Sequence, residues 1–243
     1  MKYEPWQYWA VKPEGEAVLE TRAKGNLPEM ECTKQLVGLI SRVYQPGMRI
    51  LDMGCNVGHY LLALRGLDTN INYVGADAYP IYIEKAKAIF GENERTAFFV
   101  KDIMEPIFPD RPFDIVFCCN LIIHLPDFRL PVRNLLESTK GVCFIRTPLG
   151  EKTTLVKYVE KQEFDTEGNP LAFRYLNTYD ADYFVNYIKD LGWKAKIIED
   201  EFCPEVIADE FTHIKKGAGT RIIDGKQADG NIIYDWKFVE IKR

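Results

Sequence analysis

The segment Ile50–Tyr60, ILDMGCNVGHY, constrains this chain more than any other stretch. It reads as a short apolar strand that runs into Asp52, turns through Gly54 and Gly58, and passes into a helix. Glycine is needed where the backbone turns tightly and approaches a ligand, because a Cβ would stand in the way. The first N–H groups of the following helix lack partners within it and face whatever sits above the strand end. Such a strand–loop–helix unit belongs to a parallel sheet that binds ligands beyond the carboxyl ends of its strands.

The chain continues in that alternation. Leu27 to Tyr44 has helical spacing at Leu36, Leu39, Ile40 and Val43, with Pro28 in the first turn, and Pro46-Gly47 ends it. After MRILDMG come a helix over Gly58 to Leu67, the strand INYVGAD, a helix over Ile81 to Phe90 and the strand TAFFVKD. FDIVFCC (Phe113 to Cys119), a helix over Phe128 to Thr139 and the strand GVCFIR (Gly141 to Arg146) follow. Nearly continuous apolar strands alternating with helices predict an α/β domain with a mainly parallel sheet covered on both faces. Thr147 to Thr178 and Glu201 to Gly230 read as irregular insertions. Between them lie a helix over Tyr179 to Leu191 and the strand WKAKIIED, and IIYDWKFVEIKR closes the chain as a last strand.

Composition narrows the partners. The 243 residues are 47% hydrophobic and 28% charged, enough to fill and cover one substantial core. The net charge is -5 and no basic block exceeds short pairs such as Lys215-Lys216, which argues against a nucleic-acid substrate. The first residues, MKYEPWQYWAVKPEGE, do not form a signal peptide, and no apolar run approaches the ~20 residues of a membrane helix. The six cysteines show no Cys-x-x-Cys pair, and adjacent Cys118 and Cys119 should point to opposite faces of a strand. Reduced thiols in a cytoplasmic protein are expected, and the three histidines offer no zinc site.

Two ligand classes use the Asp52–Gly58 geometry. A dinucleotide site wants G-x-G-x-x-G, but counting from Gly54 the later glycine positions hold Asn56 and His59. The pattern hydrophobic-hydrophobic-Asp-x-Gly-Cys-x-x-Gly instead resembles the first motif of class I S-adenosylmethionine-dependent methyltransferases. Asn56 stands where many members carry glycine. The resemblance implies a loop of Asp52, Gly54, Cys55, Asn56 and Gly58 around the amino-acid half of the cofactor. It implies that Asp77, with Ala78 beside it, binds the ribose hydroxyls, and that Asp102 and Ile103 meet the adenine. Asn120 would then open toward the transferred methyl, and S-adenosylhomocysteine would be the product.

FDIVFCCNLIIHLPD and the segment Tyr175 to Ile198 are similar to the small-molecule and ubiquinone-biosynthesis-type members, so the likeness runs from Gln45 to Ile198 in order. The implied fold is a seven-stranded, doubly wound Rossmann-like sheet with an antiparallel last strand, an N-terminal helical segment and two C-terminal insertions. Residues 1–44 form the N-terminal or lid segment of a single domain, 45–146 its cofactor core, and 147–178 and 200–232 the substrate-side insertions.

Residues around the acceptor carry alternatives. His124 follows the fourth strand and is a candidate general base, or a packed histidine. Arg146 either clamps an acidic substrate or pairs with an acid, and Arg22 is a weaker candidate for the cofactor carboxylate. Tyr8, with Tyr3, Trp6 and Trp9, forms a lid or covers core; Tyr175, with Phe173 and Tyr179, forms a substrate wall or packs. His59 is structural or touches the cofactor. No metal is called for. The expected reaction is in-line methyl transfer to a small molecule, with oxygen the favoured acceptor atom. A nicotinamide-dependent oxidoreductase and a non-catalytic cofactor-binding or scaffold protein are the competing readings.

Overall fold

The computed structural model describes residues 13–159, 161–201, 220–223, 226–229 and 232–243. Tyr3, Trp6, Tyr8, Trp9, Cys203 and much of the second insertion lie outside the described residues.

Two helices, α1 (Pro13–Ala23) and α2 (Glu31–Ser41), precede the sheet. The expected helix over Leu27 to Tyr44 is therefore shorter, because the Pro28 carbonyl accepts from Arg22 Nε at 2.8 Å and holds the connection to α1. Then come β1 (Arg49–Met53), α3 (His59–Leu67), β2 (Asn72–Asp77), α4 (Pro80–Phe90) and β3 (Thr96–Val100). β4 (Phe113–Cys119), α5 (Arg129–Glu137) and β5 (Thr139–Gly150) complete the parallel part, in the order β3-β2-β1-β4-β5. A small antiparallel pair, β6 (Lys157–Val159) and β7 (Phe173–Tyr175), interrupts the first insertion. β8 (Tyr179–Asp180), α6 (Ala181–Asp190) and β9 (Lys194–Glu199) follow. Strands β10 (Thr220–Ile223), β11 (Lys226–Asp229) and β12 (Ile232–Tyr234) form a separate antiparallel sheet. β13 (Trp236–Lys242) runs antiparallel between β5 and β9.

The main path thus has seven strands with an antiparallel last one, and β8 adds an eighth beside the end of β5. Two boundaries differ from the sequence pattern. β5 continues to Gly150 because Thr147 and Pro148 pair with β13 and Leu149 with β8, so Pro148 costs one N–H without ending the strand. The last apolar run splits at Asp235, whose carbonyl accepts from Leu149 at 3.0 Å while its carboxylate pairs with Lys226 and Lys237.

Burial on both faces holds the sheet. Phe128, Val132, Phe184 and Ile188 pack α5 and α6 on one side; Leu36, Ile40, Tyr60, Leu64 and Ile83 pack α2, α3 and α4 on the other. Cys118 joins the first cluster and Cys119 the second, as the strand pleat requires. Winding reverses between β1 and β4, and the crevice at their carboxyl ends is where such a sheet receives a ligand.

Candidate active site

A cavity of about 270 Å³ lies over the carboxyl ends of β1 to β4. Its floor is the turn after β1. Gly54 and Cys55 N–H both donate to the Ala76 carbonyl, at 2.7 and 3.0 Å, which ties the turn to β2. Gly54 has φ +83°, and a Cβ there would lie 2.9 Å from Leu121 Cδ2 on the opposite wall, so only glycine keeps the cavity open. Asn56 has φ 50°; asparagine is the side chain that best tolerates this left-handed conformation after glycine. That is the physical reason an asparagine can replace a glycine here.

Acidic side chains line the next two strand ends. Asp77 Oδ2 accepts from Asn56 N–H and its Oδ1 from Tyr79 N–H, each at 3.0 Å, which orients the carboxylate at the cavity wall. Burial raises its pKa to about 6, against the opposing pull of those N–H groups. Asp102 Oδ1 accepts from Met104 N–H at 2.9 Å, and buried Ile103 stands next to it on the wall.

Cys119, Asn120 and His124 line the wall at and beyond the end of β4. Asn120 has φ 62°, and its N–H donates to the Arg146 carbonyl at 3.0 Å. His124 ends a short 3-10 turn (Ile122–His124) and lies 3.0 Å through Nδ1 from the Tyr175 carbonyl. A carbonyl only accepts, so Nδ1 carries the proton and the lone pair is on Nε2. Burial lowers the His124 pKa to about 4, so the ring is neutral at pH 7. Cys119 also lines the cavity, but burial holds its thiol well above the ordinary range and keeps it from acting as a thiolate.

His59 is an unmatched polar group on the cavity wall. It opens α3 with 8% exposure, and among the described residues neither ring nitrogen has a hydrogen-bond partner. Burial, with the Arg22 charge nearby, lowers its pKa to about 3. A buried imidazole without a partner costs stability unless a ligand supplies one.

The family model described as a methyltransferase domain matches residues 30–215, about three quarters of the sequence. The chain belongs to the methyltransferase-domain family. Phosphoethanolamine N-methyltransferase 3 of Arabidopsis thaliana is 23% identical over 225 residues, covering 86% of this chain and 41% of the plant protein. The chain thus spans about two fifths of the length of that relative. Magnesium protoporphyrin IX methyltransferase from Synechocystis, solved with bound S-adenosylmethionine, superposes with a TM-score of 0.58 at 12% identity, over 100% of this chain and 98% of that one. The cyclase SpnF superposes with a TM-score of 0.57 at 16% identity, over 86% of this chain and 80% of that one. A shared fold thus spans different chemistries, and the site has to carry the functional argument.

The cavity wall brings together Gly54, Asn56, His59, Asp77, Ala78, Asp102, Ile103, Asn120 and His124 of the residues singled out by sequence. Asp52, Cys55 and Gly58 sit behind it. Asp52 accepts from the Tyr73 hydroxyl at 2.7 Å, and burial raises its pKa to about 8. Cys55 is fully buried, and Gly58 packs on Phe98. Arg146 is also behind the wall, paired with Asp200 and not open to a substrate. Tyr175 meets the site through its carbonyl, while its ring packs against Phe173 at 5.4 Å. Arg22 lies outside the wall, although Leu19 of the same helix is on it. Tyr8 lies outside the described residues.

Sequence reasoning missed Met30, Tyr82, Leu121 and Leu125 on the wall and Asp200 behind it. Leu121 had a signal, since a glycine with no room for a Cβ implies a close neighbour. Asp200 had none, because nothing local marks a contact between the ends of strands 54 residues apart.

Proposed function

We propose that the chain transfers a methyl group from S-adenosylmethionine to the hydroxyl of a small molecule, with His124 as general base. The observation that carries this reading is the convergence of Gly54, Asp77, Asp102 and His124 on one cavity. The residues present fit the cofactor. The Gly54 turn leaves room that a Cβ would fill, the Asp77 carboxylate retains lone pairs for two ribose hydroxyls, and the unpartnered His59 ring awaits a polar group. When bound, S-adenosylmethionine supplies an electrophilic methyl carbon and a neutral thioether leaving group.

The chain's own residues do the rest. Asp77 and Ala78 hold the ribose, Asp102 and Ile103 the adenine, and the turn formed by Asp52, Gly54, Cys55, Asn56 and Gly58 shapes the amino-acid end. Leu121, Leu125 and Ile103 make the wall apolar and keep water from the methyl group. Asn120 orients the acceptor, and neutral His124 takes its proton at Nε2. A net charge of -5 supports a small molecule over nucleic acid, and five free thiols among the described residues suit the reducing cytoplasm. No helix among those residues is long and apolar enough to cross a membrane.

His124→Gln tests the role of the base. Transfer of labelled methyl to a panel of small hydroxylated acceptors should fall roughly 100-fold or more, with affinity for S-adenosylhomocysteine unchanged. Unaltered turnover would relegate His124 to packing. A nitrogen acceptor is the second reading, favoured by the likeness to the plant phosphoethanolamine N-methyltransferase.

A further inference from the structure

We propose that a buried Arg146–Asp200 pair locks Asn120 as a hydrogen-bond donor to the methyl acceptor, and that this donor selects hydroxyl over amine acceptors. The inference rests on the methyl-transfer reading above and decides between its two acceptor atoms.

The lock begins with Arg146. Its Nε and Nη2 donate to the two carboxylate oxygens of Asp200 at 2.7 and 2.8 Å, and both side chains are only 6% exposed. The guanidinium carbon lies over the Trp236 ring, 4.2 Å from its centre. Its remaining Nη1 donates to Asn120 Oδ1. A guanidinium has donors only, so the Asn120 oxygen must face Arg146 and the amide cannot be flipped. The Asn120 backbone is tied to the same residue, through its N–H and the Arg146 carbonyl.

The orientation decides what Asn120 offers the cavity. Its carbonyl oxygen is turned to Arg146, behind the wall, and among the described residues no acceptor takes the Nδ2 hydrogens. Asn120 therefore presents a donor, polarised by the cation behind it. A neutral amine has a single lone pair; accepting an N–H bond ties up the pair that must attack. A hydroxyl oxygen has two, so one can accept from Asn120 while the other reacts. His124 faces the same cavity with its lone pair on Nε2 and matches the hydroxyl's proton.

The step balances on these groups. The acceptor oxygen forms the bond to the methyl carbon, the carbon–sulfur pair leaves on sulfur, and the hydroxyl proton passes to His124 Nε2. Negative character growing on that oxygen strengthens the Asn120 hydrogen bond as the reaction proceeds. Arg146 and Asp200 act through Asn120 and are positioning residues.

The test offers methyl-labelled S-adenosylmethionine and matched acceptors to the whole chain. The pairs are phenol with aniline, catechol with ortho-phenylenediamine, phenethyl alcohol with phenethylamine, and ethylene glycol monophosphate with phosphoethanolamine. Labelled product should come from the hydroxyl members. Asn120→Asp keeps the shape and the Arg146 contact but turns the donor into an acceptor. It should cut hydroxyl turnover roughly 100-fold in kcat, with S-adenosylhomocysteine affinity unchanged. Arg146→Lys loses the fork, and should lower the hydroxyl-to-amine ratio without moving cofactor affinity; should it not fold, Asn120→Asp carries the test. Faster turnover of amines, undiminished hydroxyl turnover in Asn120→Asp, or turnover of neither class by a chain that binds S-adenosylhomocysteine would overturn the inference. Failure to bind S-adenosylhomocysteine would overturn the reading beneath it.

Discussion

Asp200→Asn should be among the most damaging single changes behind the site. The Arg146–Asp200 pair is 6% exposed on both sides and makes two charge-assisted hydrogen bonds. Taking away one partner of such a pair leaves a buried charge uncompensated, at a cost of about 3–5 kcal/mol. For a domain of this size each kcal/mol moves the midpoint of thermal unfolding by about 2–4 °C, so a fall of roughly 6–20 °C is expected. Replacing both residues tells the remaining cost apart. Arg146→Met with Asp200→Leu removes the charges together, and such replacements of buried ion pairs are often neutral or stabilising, so the double variant should be more stable than Asp200→Asn. It should nevertheless transfer methyl poorly, because Asn120 has lost its lock. Equilibrium denaturation in urea followed by circular dichroism gives the stabilities, and labelled-methyl transfer gives the activities. If Asp200→Asn stays within about 1 kcal/mol of the parent, the buried pair does not carry the charge balance argued for it. A double variant of full activity would separate it from Asn120.

Four other outcomes follow from the site and the sheet beneath it. Asp77→Asn should weaken S-adenosylhomocysteine binding roughly 10- to 100-fold, since one good acceptor oxygen is lost to the ribose and a hydrogen bond to a charged group contributes about 1.5–3 kcal/mol; unchanged affinity in calorimetry would remove Asp77 from that role. Because burial raises the Asp77 pKa to about 6, the ligand-free fold is favoured by its protonation at low pH, and that contribution is lost as pH rises through 6. Binding that needs the carboxylate has the opposite sign, so affinity should rise between pH 5 and 7 and flatten in Asp77→Asn; a flat parent profile would count against it. Gly141→Ala places a Cβ 2.3 Å from the Asp114 carbonyl oxygen, where backbone must move, and should lower stability by about 2–4 kcal/mol without changing cofactor affinity below the melting transition. Gly54→Ala strains a positive φ and pushes Leu121 into the cavity, so there affinity should fall while the melting point moves less.

The alternation of β1 to β5 is legible because the central strands β1 and β4 are buried on both faces and read as continuous apolar runs, and the edge strand β3 keeps the apolar pattern although Phe99 and Val100 are exposed. The strand-end residues were legible for a related reason: the sheet brings successive carboxyl ends to one crevice, so the order Gly54, Asp77, Asp102, Asn120 along the chain becomes a wall in space. What escaped lacks a periodic pattern. α1, PEGEAVLETRA, has no continuous apolar face, and β5 hides its last residues behind Pro148. β6 and β7 are half-polar strands held by cation contacts, Lys157 over Phe173 and Arg174 over Tyr158. Arg146 was recognised as chemically notable, but its partner depends on β9 and β13 lying side by side, which no local signal encodes. The role of Tyr175 was hidden likewise, since a backbone carbonyl leaves no mark on residue identity.

Calorimetric titration of the whole chain with S-adenosylmethionine, S-adenosylhomocysteine and NADH is the most direct test of the central claim. Saturable binding of the first two, with none of NADH, is the predicted result. Binding of NADH instead, or of none of the three, would contradict the assignment of the cavity to a sulfonium cofactor.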